Sequence, residues 1–325
     1  MRTKSATASL LLAHAESDSV HALGEEKLIQ KIRIWLGDTN PPAPFGIGDD
    51  CAVLARSTHQ QVITVDPLIY GRHFDDAVSA KAAGAKLLKR NLSDLAAMGA
   101  RPTAAVIALA LSPRTSTRWL EQFYRGLAEA ARKFSVKIVG GDVAQLDQGF
   151  VATLTLLGRA SKDRILTRKG AKIGDLICVT GKLGGSLLGH HFSFTPRLAE
   201  GAWLADRPDV HSLMDVSDGL AKDLRALTPT DAFAAVSSTA IPIAPAARRL
   251  AQSSGRSPLV HALTDGEDYE LLFTLDGRTD FEKFSAAWKK RFPLLLTRLG
   301  AFVAPRKVRD DEIDWKTLSG YEHLR

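Results

Sequence analysis

The chain has no long apolar run, only two cysteines and few aromatic residues, and each shortage excludes a class of protein. No segment nears the roughly 18 unbroken apolar residues of a membrane helix, and runs such as Val106–Leu111 are strand-sized, so no membrane partner is expected. Cys51 and Cys178 lie far apart in strand-like runs. That spacing predicts two small buried hydrophobes in a reducing cytoplasm and no disulfide framework. Aromatic residues are 7% of the total and no basic run is interleaved with them, so a nucleic-acid partner is not expected either. No histidine pairs with cysteine at metal-ligand spacing, and no G-x-S-x-G, Walker or G-x-G-x-x-G pattern occurs. Those gaps argue against a zinc site, a serine hydrolase elbow and the common nucleotide loops. A fixed-period repeat is also missing, which excludes a solenoid.

What is present is a 325-residue chain, 45% hydrophobic, long enough for two ordinary domains. Its 43 Lys and Arg against 36 Asp and Glu favour anionic partners, and a phosphorylated metabolite fits that balance. The start, Met1–Ala15, has the basic and small residues of a signal peptide but too short an apolar core. Residues 1–23 therefore read as a disordered extension, with folded structure beginning near Gly24. Strand and helix patterns alternate from there, which predicts an α/β (α+β) protein of two domains, 24–160 and 161–325, joined through the basic connector Gly158–Gly174. Expected strands include Cys51–Ala55, Gln61–Asp66, Thr103–Leu111, Val136–Val139, Phe150–Leu157, Asp175–Thr180 and Tyr269–Leu275. Expected helices include Gly24–Leu36, Ser79–Ala100, Ser116–Phe134, Asp218–Leu227, Pro245–Gln252 and Asp280–Arg291.

The acids carry the chemical signal. Asp49 and Asp50 adjoin in a glycine bend, and Asp66, Asp94, Asp142, Asp215, Asp218 and the Glu267–Glu270 group sit beside glycine, serine or strand ends. Clustered carboxylates without Cys or His companions select hard cations, which for phosphate chemistry means Mg²⁺. Gly140-Gly141 before Asp142 allows close backbone approach to a ligand. Ser217 could cap the following helix, either exposing N–H groups to a phosphate or merely closing the helix. Thr180–Ser186 follows a strand as phosphate loops do, without matching one. Arg164, Arg168, Lys169 and Lys172 form either a phosphate clamp or a solvated loop. His73 reads equally as a donor to an anion or as a structural histidine.

In order, Gly46–Leu54 (GIGDDCAVL), Asn91–Ala100 (NLSDLAAMGA), Leu166–Gly174 (LTRKGAKIG), Asp215–Leu220 (DVSDGL), Gly266–Leu271 (GEDYEL) and the terminal Gly320-Tyr321-Glu322-His323 resemble the thiamine-monophosphate kinase family, of the superfamily that includes aminoimidazole ribonucleotide synthetase. The resemblance runs from about Gly24 to the end. It implies a dimer whose amino-terminal mixed sheets pair, a carboxy-terminal α/β domain, and ATP-dependent phosphorylation of thiamine monophosphate to thiamine diphosphate. By motif position it gives Mg²⁺ to Asp50, Thr64, Asp66, Asp94, Asp142, Asp215 and Asp218, with K⁺ as a further ion. It gives ATP to Gly140, Gly141, Arg168 and Ser217, and the thiamine substrate to His73, Glu267 and Tyr321. The acceptor would be a phosphate oxygen with a second pKa of about 6, so no side-chain base is required. Val65, Pro67, Val143 and Asp265 depart from the family pattern, which has a hydroxyl residue at 65 and glycine at 265. The alternatives are a protein of this fold that has lost turnover, or a sister enzyme. Selenophosphate synthesis would want a cysteine before Cys51, and the carbamoyl-transfer relative a terminal cysteine.

Overall fold

The computed structural model describes residues 9–43, 45–48, 51–54, 56–161 and 164–321. The chain divides into two compact units, Met1–Asn91 with Pro102–Arg159, and Leu92–Arg101 with Ala160–Arg325.

Unit 1 holds α1 (Val20–Leu23), α2 (Glu25–Leu36), β1 (Gln61–Ile69), most of α3 (Ala80–Ala96), β2 (Ala100–Leu111), α4 (Thr117–Lys133), β3 (Lys137–Gln145) and β4 (Phe150–Ala160). Its sheet runs β1-β4-β2-β3, with β1 antiparallel to β4 and β2 parallel to β3, so it is mixed as expected. α4 begins where the Ser116 hydroxyl accepts the Trp119 N–H, and it ends on Arg132 and Lys133, basic residues that suit a helix carboxy terminus. Leu120, Phe123 and Leu127 recur at helical spacing and are buried. Phe123, Trp119, Phe74 and Phe150 then pack ring on ring, with centroids of adjacent pairs 5.0 to 6.1 Å apart. Each such side chain contributes about 1.5–3 kcal/mol of burial. α3 starts where Ser79 accepts from Ala82 and stops at Gly99, whose φ of 66° glycine adopts without strain.

Unit 2 adds β5 (Leu176–Thr180), α5 (His190–Ser193), α6 (Leu198–Ala205), β6 (Val210–Asp215), α7 (Leu220–Leu227), β7 (Phe233–Val236), α8 (Pro245–Ser254), α9 (Pro258–Thr264), β8 (Leu271–Leu275), α10 (Phe281–Arg291) and β9 (Leu296–Val303). The sheet runs β6-β8-β5-β9-β7 and every pairing in it is antiparallel. Side-chain alternation divides the core. Ile177 and Val179 join Leu220 and Leu224 in one cluster, while Cys178 between them joins Phe273 and Trp288 in the other.

Several expectations change. Residues 51–54 form no strand and Cys51 is exposed, so only Cys178 is the buried hydrophobe. Part of the stretch read as a disordered extension is folded onto unit 1. Leu11 and Val20 are buried, and the Asp18 carboxylate accepts from the Ser116 and Thr117 hydroxyls at 2.7 and 2.6 Å. β1 continues through Pro67 to Ile69, which an outer strand permits because proline lacks only the outward N–H. The sequence patterns missed β6, β7 and β9. β6 carries polar His211 and Ser212, β7 has four residues, and β9 contains Arg298 and Gly300.

Candidate functional site

In unit 2 the candidate residues converge on the turn after β6. Asp215 closes that strand, is buried, and accepts the Ser93 hydroxyl at 2.6 Å. Ser93 stands beside Asp94 at the end of α3. Beyond Asp215 the chain pairs with Gly266–Glu270. The Val216 N–H donates to Glu270 O at 2.8 Å, Glu267 N–H to Ser217 O at 2.8 Å, and Tyr269 N–H to Val216 O at 2.9 Å. Tyr321 joins from the carboxy-terminal side, donating its N–H to Asp218 O at 2.9 Å. Lys222 bridges the same pair, 2.7 Å from the Asp218 carboxylate and 2.8 Å from Tyr321 O. Ser217, Asp218, Glu267 and Tyr321 are thus assembled by main-chain hydrogen bonds. Glu267 and Tyr269 hold φ of 53° and 52°, unfavourable for residues other than glycine, so the surrounding pairing holds a strained segment in place.

Carboxylate charge accumulates at this turn. Burial first, then the nearby Asp215 and Asp218 charges, push the Asp223 carboxyl up to about 8, while Arg168 opposes the shift. Asp223 was not among the expected site residues; its signal is an acid in the first turn of α7 after Asp215-Val-Ser-Asp218. Its carboxylate accepts the Asp218 N–H at 3.1 Å. Ser217 does not cap the helix: the N-cap is Gly219, with no side-chain hydrogen bond, and the back-bond from Asp223 closes the turn instead.

Two expected phosphate contacts are otherwise engaged. In the glycine-rich turn after β5, the Gly184 N–H donates to Asp268 at 2.8 Å, the Gly185 N–H to Asp265 at 3.0 Å, and the Ser186 hydroxyl to Gly266 O at 2.5 Å. Carboxylates and a carbonyl occupy those donors. Arg164 gives its guanidinium to the carbonyls of Arg207, at 2.5 Å, and Val210, which leaves Arg168, Lys169 and Lys172 as the exposed cations of that cluster. Arg197, which sequence reading missed, forms a two-pronged pair with buried Glu270, and Thr180 donates to the same carboxylate at 2.6 Å. The Gly181 site has no room for a Cβ beside Glu270.

Unit 1 arranges its candidates differently. Thr64 and Asp66 share one face of β1, and Asp66 lies 3.6 Å from Arg90 of α3. Gly140, Gly141 and Asp142 lie within β3, paired alongside Val106–Ala108 of β2. A Cβ at Gly141 would collide with the Ile107 carbonyl, so the close strand approach requires glycine there. β1 and β3 are the two outer strands, so β4 and β2 separate these groups. Next to Gly140–Asp142 is a cavity of about 490 Å³ walled by Ile32, Ile107, Tyr124 and Ile138. His73 accepts the Ile69 N–H on Nδ1 at 3.0 Å, so a neutral ring carries its proton on Nε2. Asp49 and Asp50 lie outside the described residues. Among the described residues no three Asp, Glu, His or Cys side chains stand close enough together to hold a metal ion. The expected ligands are divided between the two units, and their donor set is oxygen only.

Comparison with known proteins gives a consistent kinship. The family described as AIR synthase related protein, N-terminal domain, matches residues 48–160. A thiamine-monophosphate kinase of Rhodopirellula baltica is 41% identical over 72% of this chain and 76% of its own length. The crystal structure of a thiamine-monophosphate kinase from Stenotrophomonas maltophilia is 31% identical, with a TM-score of 0.71 over 93% of this chain and 98% of that one. A ThiL structure complexed with AMPPCP and TMP is 27% identical, with a TM-score of 0.67 over 89% of this chain and 93% of that one. The chain belongs to the thiamine-monophosphate kinase family.

Proposed function

We propose that this protein transfers the terminal phosphoryl group of ATP to the phosphate of thiamine monophosphate, giving thiamine diphosphate and ADP. Family membership supports the reaction. The carrying observation in the molecule is the assembly of Ser217, Asp218, Glu267 and Tyr321 around a turn where carboxylate charge accumulates. The acceptor oxygen is already ionised near neutral pH, so the protein has two tasks, in-line positioning and relief of repulsion between two polyanions.

The residues divide along those lines. Gly140 and Gly141 address ATP through their backbone, and the adjoining apolar cavity with Tyr124 suits its base. Arg168 and Ser217 address the phosphates. His73, with its proton on Nε2, Glu267 and Tyr321 hold the thiamine substrate. Asp50, Thr64, Asp66, Asp94, Asp142, Asp215 and Asp218 would hold Mg²⁺, with K⁺ as an auxiliary ion. The all-oxygen donor set and the raised Asp223 pKa fit a hard cation. Bound there, Mg²⁺ supplies charge neutralisation at the transferring phosphoryl group.

The protein works as a cytoplasmic homodimer in this reading. Ile63 and Val65 of β1, 69% and 57% exposed, lie on one strand face and support sheet pairing between two copies. Purified protein given Mg-ATP and thiamine monophosphate should form thiamine diphosphate and ADP in equal amounts. ATP binding without product would move the reading to a protein of this fold that has lost turnover.

A further inference from the structure

Asp265 has no part in the proposed phosphoryl transfer, yet it ends a chain of polar side chains. Its two carboxylate oxygens lie 2.9 and 3.0 Å from Nδ1 of His261, in α9. Nε2 of the same ring is 2.7 Å from the hydroxyl oxygen of Ser254, the last residue of α8. The order of burial is that of an activated nucleophile: the His261 and Asp265 side chains are 2% and 5% exposed, and Ser254 is at the surface.

Chemistry fixes the direction of these bonds. An ionised carboxylate only accepts, so Nδ1 carries the hydrogen. In the neutral ring Nε2 is then an acceptor, and Ser254 is the group that must donate to it. The Arg256 N–H, 3.3 Å from the same hydroxyl oxygen, favours negative charge developing there. Asp265 also accepts the Gly185 N–H at 3.0 Å, and Arg256 stands 3.5 Å away, so its carboxylate is fixed from three sides. Nucleophile, base and orienting acid within hydrogen-bond reach of one another are the recognisable geometry of nucleophilic catalysis on any fold.

We propose that Ser254 is a reactive serine, a second site in unit 2 that takes small activated acyl esters. The Ser254 oxygen attacks the ester carbonyl carbon as its proton passes to Nε2 of His261. The tetrahedral adduct breaks its bond to the leaving alcohol, which takes the proton from Nε2 and departs, leaving an acyl-serine. Water then attacks the acyl-serine, giving its proton to Nε2, and the carboxylic acid leaves as Ser254 is reprotonated.

The test treats the full-length protein with a fluorophosphonate probe and, separately, with p-nitrophenyl acetate, and locates the adduct by peptide mass spectrometry. One adduct on Ser254 is expected, absent in Ser254→Ala and formed at least about 100-fold more slowly in His261→Gln. Asp265→Gly, which leaves serine and histidine in place, should slow labelling while a thermal melt shows the fold retained. Phosphoryl transfer by Ser254→Ala should match wild type, so failure here and failure of the kinase reading are separate results. No adduct on Ser254, or a labelling rate unchanged in folded His261→Gln or Asp265→Gly, overturns the proposal.

Discussion

The two units hold their candidate residues by different means. In unit 2 the residues are locked to one another: Glu267 to Ser217, Tyr321 to Asp218, and Asp215 to Ser93. In unit 1 Thr64, Asp66, Gly140, Gly141 and Asp142 stand on β1 and β3, the outer strands of one sheet, and Asp142 is exposed. Main-chain pairing and a buried side-chain hydrogen bond thus fix the first group before any ligand arrives, whereas outer strands present the second. Parallel substitutions should expose the difference. Asp142→Asn and Asp218→Asn should each lower turnover by at least about 100-fold, the largest effect expected, as each removes charge from the proposed Mg²⁺-holding set. Their stabilities should part. Asp142→Asn should melt with wild type, while Asp218→Asn should lose up to about 1 kcal/mol with its Lys222 pair. Equal melting temperatures for the two variants would break the comparison.

Locking unit 2 has an electrostatic cost, and Asp223 carries much of it. Its folded pKa of about 8 stands above the ordinary carboxyl value of 3.8, so the native state holds the proton more tightly than the unfolded one. The associated stability is fully present below about pH 4 and is lost as pH rises through about 8. Asp223→Asn cannot ionise and its side-chain oxygen can still accept the Asp218 N–H. In metal-free buffer it should therefore melt above wild type at pH 8, by an amount on the order of a few kcal/mol, and the gap should narrow toward pH 5. A gap independent of pH between 5 and 8 would remove the assignment.

The sequence was most legible where side chains repeat with helical or strand period. Leu28, Ile32 and Trp35 in α2, and Leu88, Leu92 and Leu95 in α3, are buried as their spacing predicts. Family motifs marked the acids around Asp215. Two things were not legible. Long-range partners such as Arg197 to Glu270 and Ser93 to Asp215 join residues 73 and 122 positions apart, and no local pattern announces them. Glycines mislead as well, because the same residue type serves ligand approach and tight packing. The glycines of the 181–185 turn are needed for packing against Glu270, Ala246 and Ala262, although their position after a strand suggested a phosphate loop.

Strain gives a smaller and more pointed contrast. Glu267 holds φ of 53° in unit 2, and no described non-glycine residue of β1 or β3 has positive φ. Glu267→Gly should relieve about 1 kcal/mol of backbone strain and raise the melting temperature, while raising KM for thiamine monophosphate about tenfold or more. Glu267→Ala should match that KM without the gain in stability. If both variants melt alike, the strain is not stored at Glu267.

The smallest effect should come from Val65, where the family pattern has a hydroxyl residue. Read from sequence, its loss threatens the neighbouring Asp66. In β1, however, side chains alternate: Thr64 and Asp66 point to one face, and Val65 shares the opposite face with Ile63, 57% exposed. A threonine at 65 therefore cannot reach a ligand held by Asp66 from within the same chain. Val65→Thr should change turnover and KM for ATP less than twofold, while removing apolar surface from the face proposed to pair two copies. Analytical ultracentrifugation alongside kinetics separates these outcomes. Weaker self-association with unchanged kinetics is expected, whereas a large gain in turnover at unchanged oligomeric state would mean that position 65 belongs to the site after all.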